Sequence, residues 1–322
     1  MATKKPKTAA KKPAAKPKTT AAKKTTTKVV TKPVATPEKT TKTVESKKTV
    51  ESKVEKVEKA EKKGCLKGFF AKKYEGTESI LTIFKQPKLY GALIGECVGM
   101  MILMLVIFSL LLMGIANIGM YAFAIIAIVI AVYAFSGAHL NPLVTVGMMA
   151  TRRVSVIRGV LYIIAQIVGA WLGWLIFNAF YLAGGDTAYA IPTMAEVAEG
   201  NFWLVTLIEL LGATIIGFFF ARATSYKRSA FTFAAVIAGG IATAMLVGYV
   251  VSAAFVGLSN NFVFNPAAAL MLQIFPTTGE TFGEVFGGIC SALATYALFP
   301  MIGGVVGFYL SDFAAKLSGE NA

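Results

Sequence analysis

The sequence is poor in side chains that bind metals, form disulfides or carry out acid–base catalysis. It has one histidine, His139, and three cysteines, Cys65, Cys97 and Cys290, in 322 residues. The cysteine spacing fits neither a disulfide framework nor a metal motif, so we expect these residues to pack within the fold. No nucleophile, paired acid or metal ligand stands at a useful spacing from His139. We therefore expect no enzyme, no cofactor, no metal and no catalytic residue.

Acidic residues are also scarce, with 17 Asp and Glu against 32 Lys and Arg, and the basic excess lies in one place. Residues 1–63 contain 20 Lys and 6 Glu and so supply +14 of the net charge of +15. A segment rich in Lys, Thr, Ala and Pro, with almost no aromatic side chains, buries too little apolar surface to fold. We expect a disordered tail. It has no apolar run of a secretory signal in its first 30 residues.

Beyond residue 90 the sequence lacks the polar helix faces of a soluble bundle, and long apolar runs recur. About 20 apolar residues cross a ~30 Å hydrocarbon layer. Six spans are predicted: 90–113, 118–135, 156–182, 202–221, 231–255 and 285–310. The chain is thus predicted as an all-α membrane protein. Its membrane domain covers 88–314, with a juxtamembrane segment at 64–87 before it and a short C-terminus at 315–322 after it.

The distribution of charge in the short connections indicates the orientation. Basic residues occur between spans two and three and between spans four and five, at Arg152, Arg153, Arg158, Arg222, Lys227 and Arg228. The connection 183–201 has three acidic residues and no Lys or Arg. Cytoplasmic connections carry the Lys and Arg excess. We therefore expect a multi-pass protein of the cell membrane with the tail and the C-terminus both in the cytoplasm.

The membrane domain contains an internal repeat. Each half has three spans, an acid in its first span and Asn-Pro after its second: Glu96 with Asn141, and Glu209 with Asn265. Three is an odd number, so the halves must be inverted relative to each other, an arrangement that places a shared site near the membrane midplane. We expect an inverted 3+3 repeat.

Each Asn-Pro is predicted to begin a short helix. Asn is a good N-cap, and proline suits the first helical position. The apolar stretches 143–150 and 267–275 are too short to span a bilayer, so we expect two re-entrant half-helices. Such backbone is tolerated only in protein or beside a water-filled cavity. Two half-helix N-termini aimed at one point would offer amide donors to neutral solutes and oppose cations and protons.

Four segments make a resemblance specific: SGAHLNPLVT at 136–145, AQIVGAWLG from Ala165, FNPAAA at 264–269 and FPMIGGVVGFYL from Phe299. Over about 88–314 the chain resembles the aquaporin and glycerol-facilitator family. The resemblance implies a bundle of six tilted helices and two half-helices, one pore per subunit and a homotetramer in the lipid bilayer. It also implies the pore residues, which are the central asparagines Asn141 and Asn265, the loop supports Glu96, Glu209, Pro142 and Pro266, and the carbonyls of Gly137, Ala138 and His139. Glu96 and Glu209 have an alternative role, in which their side chains reach a membrane surface.

The resemblance also implies a narrow filter built by four positions. Counting from the two asparagines gives Tyr121, Ala253, Phe262 and Ala268. The family has an arginine where this chain has Ala268, and Ala269 follows where glycerol facilitators have Asp. An arginine narrows the opening and offers donors in a fixed fork. Without it we expect a wide filter that passes water and small uncharged solutes such as glycerol, unless it is occluded by the outer connection, by the NNFVF segment or by a bulky Phe262 or Phe264.

Two other functions stay open. The divergent second loop is compatible with a non-conducting membrane scaffold of the same fold. The basic tail, with its KKPAAKPK sequence, resembles the tails of chromatin-type proteins and would bind polyanions such as anionic lipid or nucleic acid. The tail lacks interleaved aromatics, which argues against base-specific binding. It could also cover the cytoplasmic mouth.

Overall fold

The computed structural model describes residues 80–113, 117–183, 201–225, 229–257, 262–274 and 281–320. The chain divides into two units, Met1–Lys67 and Gly68–Ala322, and the first lies wholly outside the described residues. So do the predicted tail at 1–63, most of the juxtamembrane segment, and nearly all of the connection 183–201. All that follows concerns the second unit.

Every regular element within the described ranges is helical. The helices are α1 (Ile80–Ile83), α2 (Pro87–Leu112), α3 (Ile118–Ser136), α4 (Pro142–Ala150), α5 (Val156–Ala183), α6 (Phe202–Ser225), α7 (Ala230–Val251), α8 (Pro266–Ala269), α9 (Phe282–Leu293) and α10 (Phe299–Leu317). Wider π-helical turns extend α7 over Ser252–Val256 and α8 over Leu270–Ile274, and a third, Ala294–Leu298, joins α9 to α10.

Six of these stretches are long and apolar enough to cross a membrane: Pro87–Leu112, Ile118–Ser136, Val156–Ala183, Phe202–Ser225, Ala230–Phe255 and Phe282–Leu317. They confirm the six predicted spans. The largest difference is at the last, where the helix continues seven residues past Leu310. Polar residues end the apolar run there, but SDFAAKL contains good helix formers, so helical structure outlasts hydrophobicity.

Helix starts follow local sequence signals. Pro87 occupies the first turn of α2, Asn117 caps α3 by accepting from the Met120 amide, and Ser229 caps α7 through the Thr232 amide. These caps satisfy amides that have no partner within the helix. Helix α9 begins with a capping box between Thr281 and Glu284.

The inverted repeat is visible in how the helices pack. Helix α5 packs on α2, and α10 packs on α6 in the corresponding way. A methyl group at Gly169 would lie 2.2 Å from the Cys97 carbonyl oxygen, and one at Gly303 would lie 2.4 Å from the Leu210 carbonyl oxygen. Gly173 and Gly307, four residues further on, also face backbone carbonyl oxygens of the facing helix, those of Met101 and Thr214. Small residues at this spacing let helix backbones approach closely in the membrane.

Candidate functional site

The two Asn-Pro sequences begin α4 and α8, as the sequence predicts. Asn141 and Asn265 have extended backbones, and each side-chain oxygen accepts a hydrogen bond from the amide two residues later, at 3.0 and 3.1 Å. The proline after each asparagine is buried at the first helical position, where its missing N–H costs no hydrogen bond. Each oxygen is thereby used for capping, which leaves the amide nitrogens to other partners.

The amide nitrogens of the two asparagines reach across to the opposite loop. Asn141 Nδ2 donates to the Phe264 carbonyl oxygen at 2.8 Å, and Asn265 Nδ2 donates to the Leu140 carbonyl oxygen at 3.0 Å. These bonds join residues more than 120 positions apart and bring both half-helix N-termini together. A primary amide has two hydrogens. Each nitrogen therefore has a second hydrogen after its bond to the opposite loop, and for Asn265 the Met100 sulfur lies 3.8 Å away.

Two buried glutamates hold the loops that carry the asparagines. Glu96 accepts from the His139 amide at 2.9 Å and from the Leu140 amide at 2.7 Å. Glu209 accepts from the Val263 and Phe264 amides in the equivalent positions. Both glutamates are 0% exposed. A carboxylate with several lone pairs can satisfy two amides that would otherwise be buried without partners in a non-helical segment.

The residue before each asparagine is strained and fits against a glycine. Leu140 and Phe264 have φ values of 49° and 52°, in the left-handed region that side chains disfavour. A methyl group at Gly99 would lie 2.6 Å from Leu140 Cδ2, and one at Gly212 would lie 2.2 Å from Phe264 Cε1. Each glycine follows its loop-holding glutamate by three residues. Sequence reasoning missed this Glu-x-x-Gly pair, although both copies are visible in the sequence.

The first loop has an additional polar network. Gln166 Nε2 donates to Glu96 Oε2 at 2.7 Å and to Thr145 Oγ1 at 3.0 Å, and His139 Nδ1 lies 3.2 Å from the same hydroxyl oxygen. The His139 ring packs edge-on to Tyr162, with centroids 5.2 Å apart. Its polar and apolar neighbours give the lone histidine a packing role. Gln166 and Thr145 were not predicted, since single polar residues in apolar runs give no pattern.

A cavity of about 430 Å³ runs along the asparagine pair. Six predicted site residues line it: Tyr121, Ala138, His139, Asn141, Phe262 and Asn265. The remaining lining is mostly aliphatic and aromatic side chains of α2, α3, α6 and α7 together with the second loop. None of the described lining residues is Asp, Glu, Lys or Arg.

Three residues that were predicted to line the pore, Gly137, Ala253 and Ala268, do not line this cavity. Gly137, with φ 85°, is the left-handed cap that ends α3. Ala268 is 0% exposed and belongs to the hydrophobic core, since a single methyl group is too short to reach past its neighbours. Ala253 is exposed and lies in the π-helical turn Ser252–Val256. Ala253 was chosen by counting back from Asn265 with the spacing of the family, and in this chain a π-helical turn, which changes the direction in which each residue points, lies within that interval.

Another residue of α7 faces the second loop instead of Ala253. A methyl group at Gly248 would lie 2.8 Å from Phe264 Cζ and 3.2 Å from Phe262 Cδ1. The Phe262 and Phe264 rings stack with centroids 5.0 Å apart and planes inclined by 22°. The absence of a side chain at Gly248 makes room for this stack, and the next residue, Tyr249, lines the cavity.

Six spans, two capped half-helices joined end to end and a cavity along their junction define a multi-pass membrane protein with a paired re-entrant site. The chain belongs to the major intrinsic protein family, whose model matches residues 83–311. The family is one of channels, not enzymes.

Individual relatives are moderately similar. The chain is 31% identical over 180 residues to Aquaporin C of Dictyostelium discoideum, covering 53% of this chain and 62% of the relative. It is 30% identical over 119 residues to Aquaporin AqpM of Methanothermobacter marburgensis, covering 37% and 48%. With a probable aquaporin AqpM of Archaeoglobus fulgidus it shares 27% over 198 residues, covering 61% and 74%. The chain thus spans only part of the length of these relatives.

A solved structure shares the fold. The X-ray structure of the aquaglyceroporin from Plasmodium falciparum superposes with a TM-score of 0.50 and 16% sequence identity. The match covers 70% of this chain and 95% of that one.

Proposed function

We propose that the protein is a passive membrane channel for water and small uncharged solutes such as glycerol. The observation that carries the proposal is the cavity along Asn141 and Asn265. The amide nitrogen of each asparagine donates one hydrogen bond to the opposite loop and has a second hydrogen that it can donate to a solute. A solute passing this point would replace part of its hydration shell with these donors. Family membership supports the same function.

Ion exclusion would rest on the two half-helix ends and on the apolar lining. Helix N-termini carry partial positive charge, which opposes cations and protons at the asparagine pair. Apolar walls make an unpaired ion costly. In the part of the chain that the structure describes, the two buried glutamates are held by loop amides, which argues against an ion-coupled transporter.

The proposed breadth of solute choice rests on the missing arginine. Ala268 brings no guanidinium to the second loop. The space left by Gly248 is occupied by the stacked rings of Phe262 and Phe264, so the wall of the pathway here is aromatic. Aromatic faces at Tyr121 and Phe262 suit the carbon backbone of a polyol. The wall of the pathway at this point therefore has few hydrogen-bond donors and no fixed charge. We propose that it admits small uncharged solutes as well as water.

Purified protein in liposomes should pass glycerol. Under an inward glycerol gradient, stopped-flow light scattering should record reswelling several times faster than in protein-free liposomes, because no fixed cation narrows the filter. Water flux without glycerol flux would contradict the permissive filter. Absence of both fluxes would favour a non-conducting scaffold of the same fold.

We further propose a homotetramer in the cell membrane with both termini in the cytoplasm. Arg153 in the connection after α4 forms an ion pair with Asp312 near the end of α10, with an N–O distance of 2.6 Å. This contact supports a common side for that basic connection and the C-terminus, the side expected of cytoplasmic loops. The orientation is tested with a C-terminal tag in sealed right-side-out vesicles, in which the tag should be protected from added protease. Crosslinking tests the tetramer.

The basic tail supports a second proposed activity, binding of anionic lipid head groups. Its net charge of +14 over 63 residues would attract a surface of anionic lipid within a Debye length of about 8 Å. Deleting 1–63 should abolish salt-sensitive pelleting of the detergent-purified protein with phosphatidylserine liposomes, and leave reconstituted flux unchanged. Unchanged pelleting would contradict the lipid proposal, and altered flux would support a tail that covers the mouth.

A further inference from the structure

An ion pair joins the connection after α4 to the end of α10. Arg153 Nη2 donates to Asp312 Oδ1 at 2.6 Å, and Nη1 donates to Asp312 Oδ2 at 3.2 Å. Nη1 also donates to Thr151 Oγ1 at 2.8 Å. The two charged side chains are only 14% and 17% exposed. A two-pronged, mostly buried pair of this kind fixes the direction of the guanidinium plane, which an exposed ion pair does not.

The same part of α10 holds the half-helix itself. Tyr309 donates to the carbonyl oxygen of Ala150, the last residue of α4, at 2.8 Å. The Phe308 ring fills the space beside Gly147, where a methyl group would lie 2.4 Å from Phe308 Cδ2. Asp312 follows Phe308 by four residues and so lies on the same helix face. One turn of α10 therefore contacts both α4 and the connection that follows it.

A row of aromatic rings leads from the ion pair to the cavity. The guanidinium carbon of Arg153 lies 5.5 Å from the centroid of the Phe308 ring, within the range of a cation–π contact. The Phe308 centroid lies 6.1 Å from that of Phe220, which lies 5.9 Å from the centroid of the His139 ring. Phe220 and His139 line the cavity, whereas the ion pair does not belong to its described lining. The ion pair thus reaches the wall of the pathway through two buried rings.

Phe220 has packed rings on several sides and the cavity on another. It contacts Phe308 and His139, and it packs edge-on to Phe233 with centroids 5.6 Å apart. Phe220 is 1% exposed. A buried side chain can turn only into free space, because protein interiors are close-packed. A Phe220 ring released from Phe308 would therefore turn into the cavity.

We infer that the Arg153–Asp312 ion pair is a positioning pair for solute passage, which acts through Phe308 to hold Phe220 against the wall and keep the pathway open. The constraint acts at the end of the bundle that carries the basic connections, since Phe220 lies two residues before Arg222 on α6. This inference rests on the proposed channel function and deepens it. Asp312 was not predicted from the sequence, because its partner is 159 positions away.

The value of such a pair is its geometry. A buried ion pair adds little net stability, since the loss of hydration offsets the attraction between the charges. Removing one partner leaves the other charge uncompensated, and that charge then turns towards water. Without its carboxylate the guanidinium would leave the face of Phe308. The Phe308 ring would then lose the contact that keeps it against Phe220.

Asparagine at Asp312 tests the inference, because it keeps the shape of the side chain and removes the charge. In full-length protein reconstituted into liposomes, D312N should lower the ratio of glycerol to water permeability about three- to tenfold, within the range expected for changes along a chain of packed side chains. The larger solute should lose more, since passage depends on pore diameter. The ratio does not depend on how much protein is inserted. R153K is the second variant, since it keeps both charges and loses the planar fork, and it should also lower the ratio.

The chain offers a matched control at the same end of the bundle. Glu320 pairs with Arg222 at an N–O distance of 2.7 Å, and both partners are more exposed than the positioning pair. An exposed pair contributes little, so E320Q should keep the wild-type ratio.

A double variant tests the route through Phe220. F220L removes the ring and keeps an apolar side chain. If Asp312 acts through Phe220, adding D312N to F220L should change the ratio less than about 1.5-fold, because the effects of coupled residues are not additive.

The outcomes separate this inference from the proposed function. If the wild-type protein passes glycerol and neither D312N nor R153K changes the ratio, the positioning inference is overturned and the channel proposal stands. An equal change in E320Q, or the same effect of D312N with and without F220L, also overturns it. If the wild-type protein passes no glycerol, the glycerol proposal fails and this inference fails with it. A ratio that falls in D312N and R153K, with no further fall when D312N is added to F220L, supports both.

Discussion

Tryptophan at Val129 should abolish the conductance of water and glycerol. Val129 is 2% exposed and lines the cavity from α3. An indole at this position would extend into the pathway, and because selectivity and rate depend on pore diameter, both fluxes should fall at least about tenfold. Stopped-flow light scattering on proteoliposomes measures both fluxes.

The neighbouring residue provides a control. Ile130 is on the same helix, 41% exposed and outside the cavity lining, so tryptophan there should leave both fluxes within about twofold. Because overpacking a buried site costs about 1–3 kcal/mol, V129F is the second variant and should lower flux less than V129W at an unchanged size-exclusion profile. Equal flux in V129W and I130W would contradict the assignment of this cavity as the pathway.

Glutamine at Glu209 should disable the second loop. The carboxylate accepts from the Val263 and Phe264 amides, and a glutamine would present an NH₂ group to one of them. A buried amide without an acceptor costs about 1–3 kcal/mol. At roughly 2–4 °C per kcal/mol for a domain of this size, the thermal unfolding midpoint should fall by about 2–12 °C. Flux should fall with it, because Asn265 would no longer be held.

The matched control is the same substitution at Glu284. This residue is exposed and closes the capping box of α9, in which glutamine can replace glutamate. E284Q should therefore keep the wild-type midpoint and flux. A comparable loss in both variants would show that the effect of E209Q is not specific to the loop, and an unchanged midpoint in E209Q would contradict the support role of Glu209.

The sequence predicted the fold because each element has a strong local cause. Apolar runs of spanning length gave all six spans, and Asn-Pro gave both half-helix starts with their capping. The inverted repeat followed from three spans per half. The largest difference in helix bounds is beyond Leu310, where the helix continues although the apolar run has ended.

The filter was harder to predict because it depends on long-range geometry. The position on span five was obtained by counting from Asn265, and the π-helical turn after Val251 invalidates such counting. Gly248, Gly212 and Phe264 form one packed unit whose members lie on two helices and a loop. Tyr249 lies in an apolar run, and the sequence alone does not show that it lines the cavity, because this depends on how α7 packs against α3.

The most direct test of the proposed function is the osmotic water permeability of proteoliposomes containing the wild-type chain, compared with protein-free liposomes of the same lipid. The proposal predicts water flux well above the lipid background, with a weaker dependence on temperature than diffusion through lipid. Flux equal to that of protein-free liposomes, from protein that is folded and inserted, would contradict it.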